Sequence, residues 1–447
     1  MAKTPKPKKK RKKSSKVPAV FARLRKHFGT DPSKLPVVEQ GFQPYDQANL
    51  HITVEELLQK PDTMLLGIVR PYQHDAVTLA KLSRPAIAKG YEEGPVEYVD
   101  VPLADDRRLA CVKQGLYTFL EDDAPVALLI APPDHFRGTI RAEVMASDRE
   151  AAEQFARKLA KGVRHGSVFR GKVLSIEQDC YGNTGVRFHK LPTTPRSSLI
   201  LPEDLLKRIE RQAMGLSKHA TRLKAAGRHL KRGILMHGKP GTGKTLSAMY
   251  LAAQLPDRTV IVLTGGAVGS IETACGLARL LEPATIILED VDLIGTEREH
   301  QTVSANALLF ELLNQMDGLG EDADVLFILT TNRPDHLEPA LSARPGRIDL
   351  AIEVPLPDES CRKRLLELYG KGLTLALADI DVWVRRTKGV SAAFIRELLR
   401  KAAVVAAEDG SSGELVVADR HLEEASAELL VAGGMLTKTL LGVEQSE

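Results

Sequence analysis

The stretch GILMHGKPGTGKTLSAMYLAAQL, residues 233–255, has the residue types and spacing to hold a polyphosphate. An apolar run enters Gly238, and Gly243-Lys244-Thr245 open a stretch of helical character. The loop Gly238, Lys239, Pro240, Gly241, Thr242, Gly243 therefore lies between a strand and a helix. Glycines let successive backbone N–H groups turn inward around phosphate oxygens, and the helix N-terminus adds partial positive charge. In that setting Lys244 reaches the β- and γ-phosphates and the Thr245 hydroxyl ligates Mg2+. A second apolar run, ATIIL, ends in Glu289 and Asp290. Its β-branched residues without polar alternation read as a buried parallel strand, which delivers side chains at its carboxyl end. Glu289 is then placed to hold Mg2+, partly through water, and Asp290 to polarise an attacking water. A third run, DVLFILTTN, ends in Asn332, an amide able to orient that water. Arg344 and Arg347 flank a Pro-Gly turn. Two guanidiniums on a loop suit either the γ-phosphate of a neighbouring subunit or a surface ion pair.

These residues need a sheet and helices to position them, and the flanking sequence supplies candidates. PVALLIAPP (125–133) and TIRAEVMA (139–146) read as strands. SDREAAEQFARKLAKG (147–162) reads as a helix opened by a Ser147/Glu150 capping box and ended by Gly162. SVFRGKVLSIE (167–177) and TGVRFHKL (184–191) follow as strands, so a strand–helix–strand unit is the expected core of a small α/β domain over 17–191. His135, His165 and His189 stand apart from one another and read as ordinary surface or core histidines. PTTPRSSLI (192–200) has linker character, and 202–227 reads as a helix with Pro202 in its first turn and Gly227 at its end.

Composition narrows the class. The 447 residues suit two to four domains, and 4% aromatic content with Leu, Ala, Val and Ile as the apolar stock favours helix and α/β cores. No apolar stretch approaches the roughly 20 residues needed to span a bilayer, and no apolar segment follows the basic N-terminus as in a secretory signal. Cys111, Cys180, Cys275 and Cys361 are far apart and form no C-x-x-C pair, which argues against a zinc cluster or disulfide framework and fits a reducing compartment. No H-E-x-x-H occurs, which argues against a zinc protease. Residues 1–16 carry nine positive charges and no acid, so the net +4 leaves the rest of the chain at −5. That tail is expected to be disordered. PKKKRK (7–12) suits a nuclear address, residues 3–16 a polyelectrolyte arm for nucleic acid or an anionic surface, and the whole equally a solvated tail. The expected compartment is the cytoplasm, or the nucleus of a eukaryotic cell.

Taken together, GKPGTGKT, IILED, TTNRPD, PALSARPGRID and ELLNQMDGL resemble the motifs of the AAA branch of the AAA+ ATPases. They correspond to its Walker A, Walker B, sensor 1, second region of homology and the helix leading to the subunit-signalling loop. The resemblance runs from about 200 to 430. It implies a P-loop NTPase parallel sheet flanked by helices over 192–357, a helical lid over 358–432 and a tail over 433–447. It also implies ATP, Mg2+ and a hexameric ring whose arginine fingers, Arg344 and Arg347, complete a neighbour's site. DESCRKRLLELYG (358–370) and SAAFIRELLRKAAVVAAED (391–409) fit lid helices, and Ala392 and Ala393 fall where the family's lid approaches adenine. The implied function is remodelling of proteins or protein complexes, with 17–191 as the substrate or adaptor module. A nucleotide-controlled binding switch and a nucleic-acid-associated ATPase are the alternatives.

Three departures from the family pattern stand out. Lys239 replaces the usual Pro. The acid pair reads Glu-Asp where Asp-Glu is usual, similar to the mitochondrial subfamily that translocates the Rieske protein. The loop LTGGAVGSIETACGLARLL (263–281) lacks the aromatic with which threading unfoldases grip a chain. Glu at the metal position is longer by about 1.3 Å, which a water-bridged contact absorbs. The shorter Asp290 shifts the water it holds, so slow hydrolysis is expected.

Overall fold

The computed structural model describes all residues except 1–16, 70–75, 134–137, 179–183, 193, 264–269, 293–304, 321–322, 336–346, 410–413 and 430–447. The basic tail, His135, Cys180, the glycine-rich loop after Leu263, Arg344 and the C-terminal tail thus lie outside the described residues. The chain divides into two units, Met1–Val168 and Phe169–Glu447.

In the first unit the strands are β1 (Val37–Phe42), β2 (Met64–Val69), β3 (Glu92–Gly94), β4 (Glu97–Pro102), β5 (Arg108–Glu121), β6 (Ala124–Ala131) and β7 (Ile140–Met145). They form one sheet in the order β1-β7-β6-β5-β2-β3, with β4 also on β5. Every pairing is antiparallel, for instance Ala127 against Met145 and Leu116 against Leu129. Helices α1 (Ala19–Phe28), α2 (Gln47–Leu57), α3 (Leu79–Leu82), α4 (Pro85–Ala88) and α5 (Arg149–His165) complete it. α2 and α5 cover one face through Leu50, Val54, Phe155 and Leu159, against Phe119, Leu128 and Val144. α1 and α3 cover the other through Val20, Leu24, Leu79 and Leu82, against Leu116, Leu129 and Met145. Alternate residues of β6 therefore meet two cores, which explains its unbroken apolar run.

Two expectations change here. The cap of α5 is Asp148, whose carboxylate accepts from Ala151 N at 2.9 Å, and the helix continues through Gly162 to His165. Gly162 is carried inside because a Cβ there would lie 2.3 Å from Thr53 Cγ2, so it permits the close approach of α2 instead of ending the helix. The expected strand–helix–strand unit also fails, because the strand after α5 joins a different sheet.

That strand is β8 (Val173–Gln178), which with β9 (Thr184–His189) extends the sheet of the second unit. The other members are β10 (Arg232–His237), β11 (Thr259–Leu263), β12 (Ala284–Leu288), β13 (Val325–Thr331) and β14 (Leu350–Glu353), in the order β14-β10-β13-β12-β11-β8-β9. All pairs are parallel except β8 with β9. Residues 169–191 thus belong with the phosphate loop and not with the N-terminal domain in which the sequence reading placed them. A strand's own pattern shows that it pairs, but not with which sheet.

Helices α6 (Glu203–Lys218), α7 (Ala220–Ala225), α8 (Lys244–Ala253), α9 (Ile271–Leu280) and α10 (Ala305–Gly318) surround this sheet. The expected single helix over 202–227 breaks at His219, and Pro202 precedes its first turn as the cap. Leu206, Ile209 and Leu251 pack on Ile234, Ile287 and Ile328, while α9 packs on β11 and β12. Chain order reverses at β10, which lies between β13 and β14, so the carboxyl ends of these strands open onto a crevice. The lid comprises α11 (Glu359–Tyr369), α12 (Ile380–Arg386), α13 (Ala392–Glu408), α14 (Asp419–Ala427) and a parallel ribbon of β15 (Thr374–Ala376) and β16 (Val416–Ala418). Its core gathers Leu365, Trp383, Phe394 and Leu398. Asp358 caps α11 on Cys361 N at 2.7 Å, and Ser391 caps α13 on Phe394 N at 3.2 Å.

Candidate nucleotide site

β10 delivers its loop at the crevice. Gly238 has φ 138, and a Cβ on it would stand 2.4 Å from Val354 O. Gly241 has φ 74, and a Cβ there would lie 2.7 Å from Ala393 Cβ and 2.8 Å from Ser391 Oγ. The first glycine lets the loop turn against β14's end, and the second lets the lid helix α13 close on it. Ala393 N donates to Gly241 O at 3.1 Å, which fixes that contact. Gly243 precedes α8, so Lys244 and Thr245 occupy its first turn.

Pro240, Gly241, Thr242, Gly243, Lys244, Thr245, Asp290, Asn332, Ala392 and Ala393 line one cleft of ≈ 650 Å³. Lys244 is 5% exposed, and its ammonium donates to Gly238 O at 2.8 Å and Lys239 O at 2.9 Å. Burial pushes its pKa down, opposed by Asp290 and Asp292. Gly238 and Lys239 do not line the cleft, and the Lys239 side chain is exposed.

The two acids stand in different surroundings. Asp290 lies on the cleft wall, and its Oδ1 accepts from Asn332 Nδ2 at 3.1 Å. Its backbone N donates to Thr330 Oγ1 at 3.0 Å. Asp290 adopts φ 47, the left-handed region, where short Asp and Asn side chains are better tolerated than longer ones. The backbone therefore gives a local reason for Asp in this second position. Burial raises its pKa, as does Asp292, against Lys244 and Asn332.

Glu289 stands one residue back. Its Oε1 is buried and has no hydrogen-bond partner. Burial and the adjacent Asp290 push its pKa up. An unpartnered buried carboxylate oxygen is costly unless a cation or water meets it. The donor set of Glu289 and the Thr245 hydroxyl, all oxygen, suits Mg2+ held partly through water. Thr245, which lines the cleft, and Glu289, which does not, are the two oxygen donors that the sequence assigns to the metal, so Glu289 would reach it only through water.

Arg347 forms a fork onto Asp317, with Nε to Oδ1 and Nη2 to Oδ2 both at 2.7 Å. Within one chain it is therefore the ion-paired arginine of the two readings its spacing left open.

Several site residues escaped the sequence reading. Asp292 accepts from Thr331 Oγ1 at 2.8 Å and Asn332 N at 3.0 Å, and so fixes the backbone that carries Asn332. The signal was present as the third acid of LEDVD. Ser198, Leu199 and Ile200, read as linker, line the cleft together with Leu365, Tyr369 and Arg396. Three consecutive apolar residues before Pro202 were the available clue. Tyr369, Leu365, Leu199 and Ile200 give the cleft lining an apolar part, suited to a base.

Comparison with known sequences agrees with this geometry. Residues 234–356 match the profile of the ATPase family associated with various cellular activities (AAA). The chain is 34% identical over 204 residues to the proteasome-activating nucleotidase of Thermococcus onnurineus, covering 43% of this chain and 51% of that protein. It is 36% identical over 188 residues to the 26S proteasome regulatory subunit 10B of Dictyostelium discoideum, covering 39% and 48%. It is 34% identical over 221 residues to the ATP-dependent zinc metalloprotease FtsH of Lachnoclostridium phytofermentans, covering 46% and 38%. The chain spans about half or less of the length of these relatives. Where profile, phosphate loop and acid pair coincide, residues 234–356 form an AAA domain of the AAA+ ATPase type, whose cofactors are ATP and Mg2+.

Proposed function

We propose that the chain hydrolyses ATP to ADP and phosphate in this cleft and, assembled as a hexameric ring, uses the cycle to remodel a protein or protein complex. The observation that carries the reading is the meeting of Asp290 and Asn332, 3.1 Å apart, on the wall of a cleft that Lys244 and Thr245 also line. Lys244 exchanges its two loop carbonyls for phosphate oxygens. Asp290 accepts a proton from the attacking water, and Asn332 orients it. Mg2+ supplies charge neutralisation on the phosphate oxygens when bound. Arg344 and Arg347 serve a neighbour's γ-phosphate, which requires Arg347 to leave Asp317.

Relatives named for proteasome activation and regulation support a protein-directed role. The first unit is then the substrate or adaptor module, with its boundary at Val168. No helix among the described residues is long and apolar enough to cross a membrane. The proposed place of work is the cytoplasm, or a nucleus reached through residues 7–12. Residues 3–16 remain an arm for nucleic acid in the third reading. A nucleotide-controlled switch with weak hydrolysis is favoured by one feature: Glu289 does not line the cleft. Asp290→Asn separates engine from switch. An engine variant binds ATP and stalls with its partner captured; a switch variant binds and releases its partner as the wild type does.

A further inference from the structure

Residues 196–201 have a short 3-10 turn at Arg196–Ser198 and then run without regular structure into α6. Leu199 and Leu201 pack in the sheet core with Leu206, Ile209 and Tyr250. Ile200, between them, packs in the lid core with Leu365 and Phe394. Ser198, Leu199 and Ile200 also line the cleft. The segment is therefore a strap set against both the sheet core and the lid core along the cleft. Apolar contacts hold such a strap without fixing its direction, because they are not directional.

Directional restraint comes from Arg196. Its guanidinium reaches Glu210 through Nε at 2.9 Å and Nη2 at 3.3 Å, and Glu203 through Nη2 at 2.8 Å. Glu210 Oε1 also accepts the Tyr250 hydroxyl at 2.6 Å. Tyr250 is 2% exposed and belongs to α8, the helix that begins at Lys244. Burial, then Glu210, pushes its hydroxyl up to about 12, so it remains a donor at neutral pH. An isolated surface ion pair contributes little, but a planar fork onto a carboxylate shared with a buried tyrosine fixes a geometry.

We propose that Arg196, Glu210 and Tyr250 form a positioning chain that holds the base-side wall of the cleft in register with the phosphate-loop helix, and so sets nucleotide affinity. This rests on the nucleotide-binding reading above. None of the three lines the cleft, so they act through the strap. Loosening the strap weakens ground-state and transition-state binding alike, which raises KM and Kd and leaves kcat in place.

The test uses full-length protein, ADP titration by calorimetry and steady-state Mg-ATP turnover. Arg196→Met is expected to weaken ADP binding about 10-fold and Tyr250→Phe about 3-fold, each with kcat within about 2-fold of wild type. Arg196→Lys, which cannot fork, should fall between wild type and Arg196→Met. The Arg196→Met/Tyr250→Phe double variant should bind no worse than Arg196→Met, because both act through Glu210. If Arg196→Met does not fold, Arg196→Lys and the single-hydroxyl Tyr250→Phe carry the same comparison. Unchanged ADP affinity, a fall in kcat at constant KM, or multiplying effects in the double variant would each overturn the proposal. Lys244→Ala separates the two levels. If wild type binds ADP, Lys244→Ala does not, and the strap variants bind as wild type, only the positioning chain falls. If wild type itself does not bind ADP, the nucleotide reading falls and the chain with it.

Discussion

Restoring the family's second acid, Asp290→Glu, should slow this protein. The residue stands at φ 47, and its Oδ1 meets Asn332 Nδ2 at 3.1 Å. Left-handed backbone costs an ordinary L-residue about 1–2 kcal/mol, and Asp escapes part of this through its short polar side chain. Glu lacks that relief and carries a carboxylate about 1.3 Å farther from the backbone. Either the backbone keeps its conformation and the carboxylate overshoots Asn332, or the peptide rotates and loses the bond from Asp290 N to Thr330 Oγ1 at 3.0 Å. A displacement of about 1 Å at a reacting water is worth up to about 10²-fold in rate. The expected result is kcat lower by about 10- to 100-fold with nucleotide affinity retained. The melting temperature should fall by about 2–4 °C per kcal/mol of strain. A coupled assay of phosphate release beside a thermal melt reads both. Turnover equal to or faster than wild type would show that the Glu-Asp order is a handicap the backbone does not require.

Other perturbations follow from the same geometry. Gly241→Ala places a Cβ 2.7 Å from Ala393 Cβ at φ 74, so it should push the lid from the loop and weaken ADP binding more than about 10-fold by calorimetry. Asp46, in the first unit, has its pKa raised by burial to about 6, so its native state holds the proton more tightly than the unfolded chain. The stability this gives is present below pH ~3.8 and lost as pH rises through ~6, by up to about 3 kcal/mol. Asp46→Asn should therefore melt above wild type at pH 7, with the gap closing by pH 4. Arg347→Ala mixed into wild type should depress turnover more than in proportion to its fraction, as expected if rings share sites; a strictly proportional fall would leave Arg347 as Asp317's partner alone.

The nucleotide cleft was legible where a motif is contiguous. The phosphate loop, Asp290 and Asn332 each follow an apolar strand, and parallel strands bring such ends together. Legibility failed where a residue's role depends on a distant partner. β8 reads as a strand, but nothing in VLSIEQ says that Val173 lies beside Val260 instead of returning to the antiparallel sheet. The first unit's sheet direction was likewise hidden, since α5 between two strand patterns looks like a crossover in any single sequence. Leu199 and Ile200 were taken for linker because Pro and Ser around them signal loop, although buried apolar residues, here continued by Leu201, must pack on something. The swapped acids looked like a defect from size alone. The φ of Asp290, which no sequence pattern states, gives the order a reason.

The proposed function stands or falls with hydrolysis of ATP in this cleft. Phosphate release from Mg-ATP by purified full-length protein, wild type against Lys244→Ala, tests it most directly. Wild type should turn over slowly and only with Mg2+, at a rate that drops at least about 10²-fold when Lys244 is removed. Equal rates from the two proteins would contradict hydrolysis in this cleft.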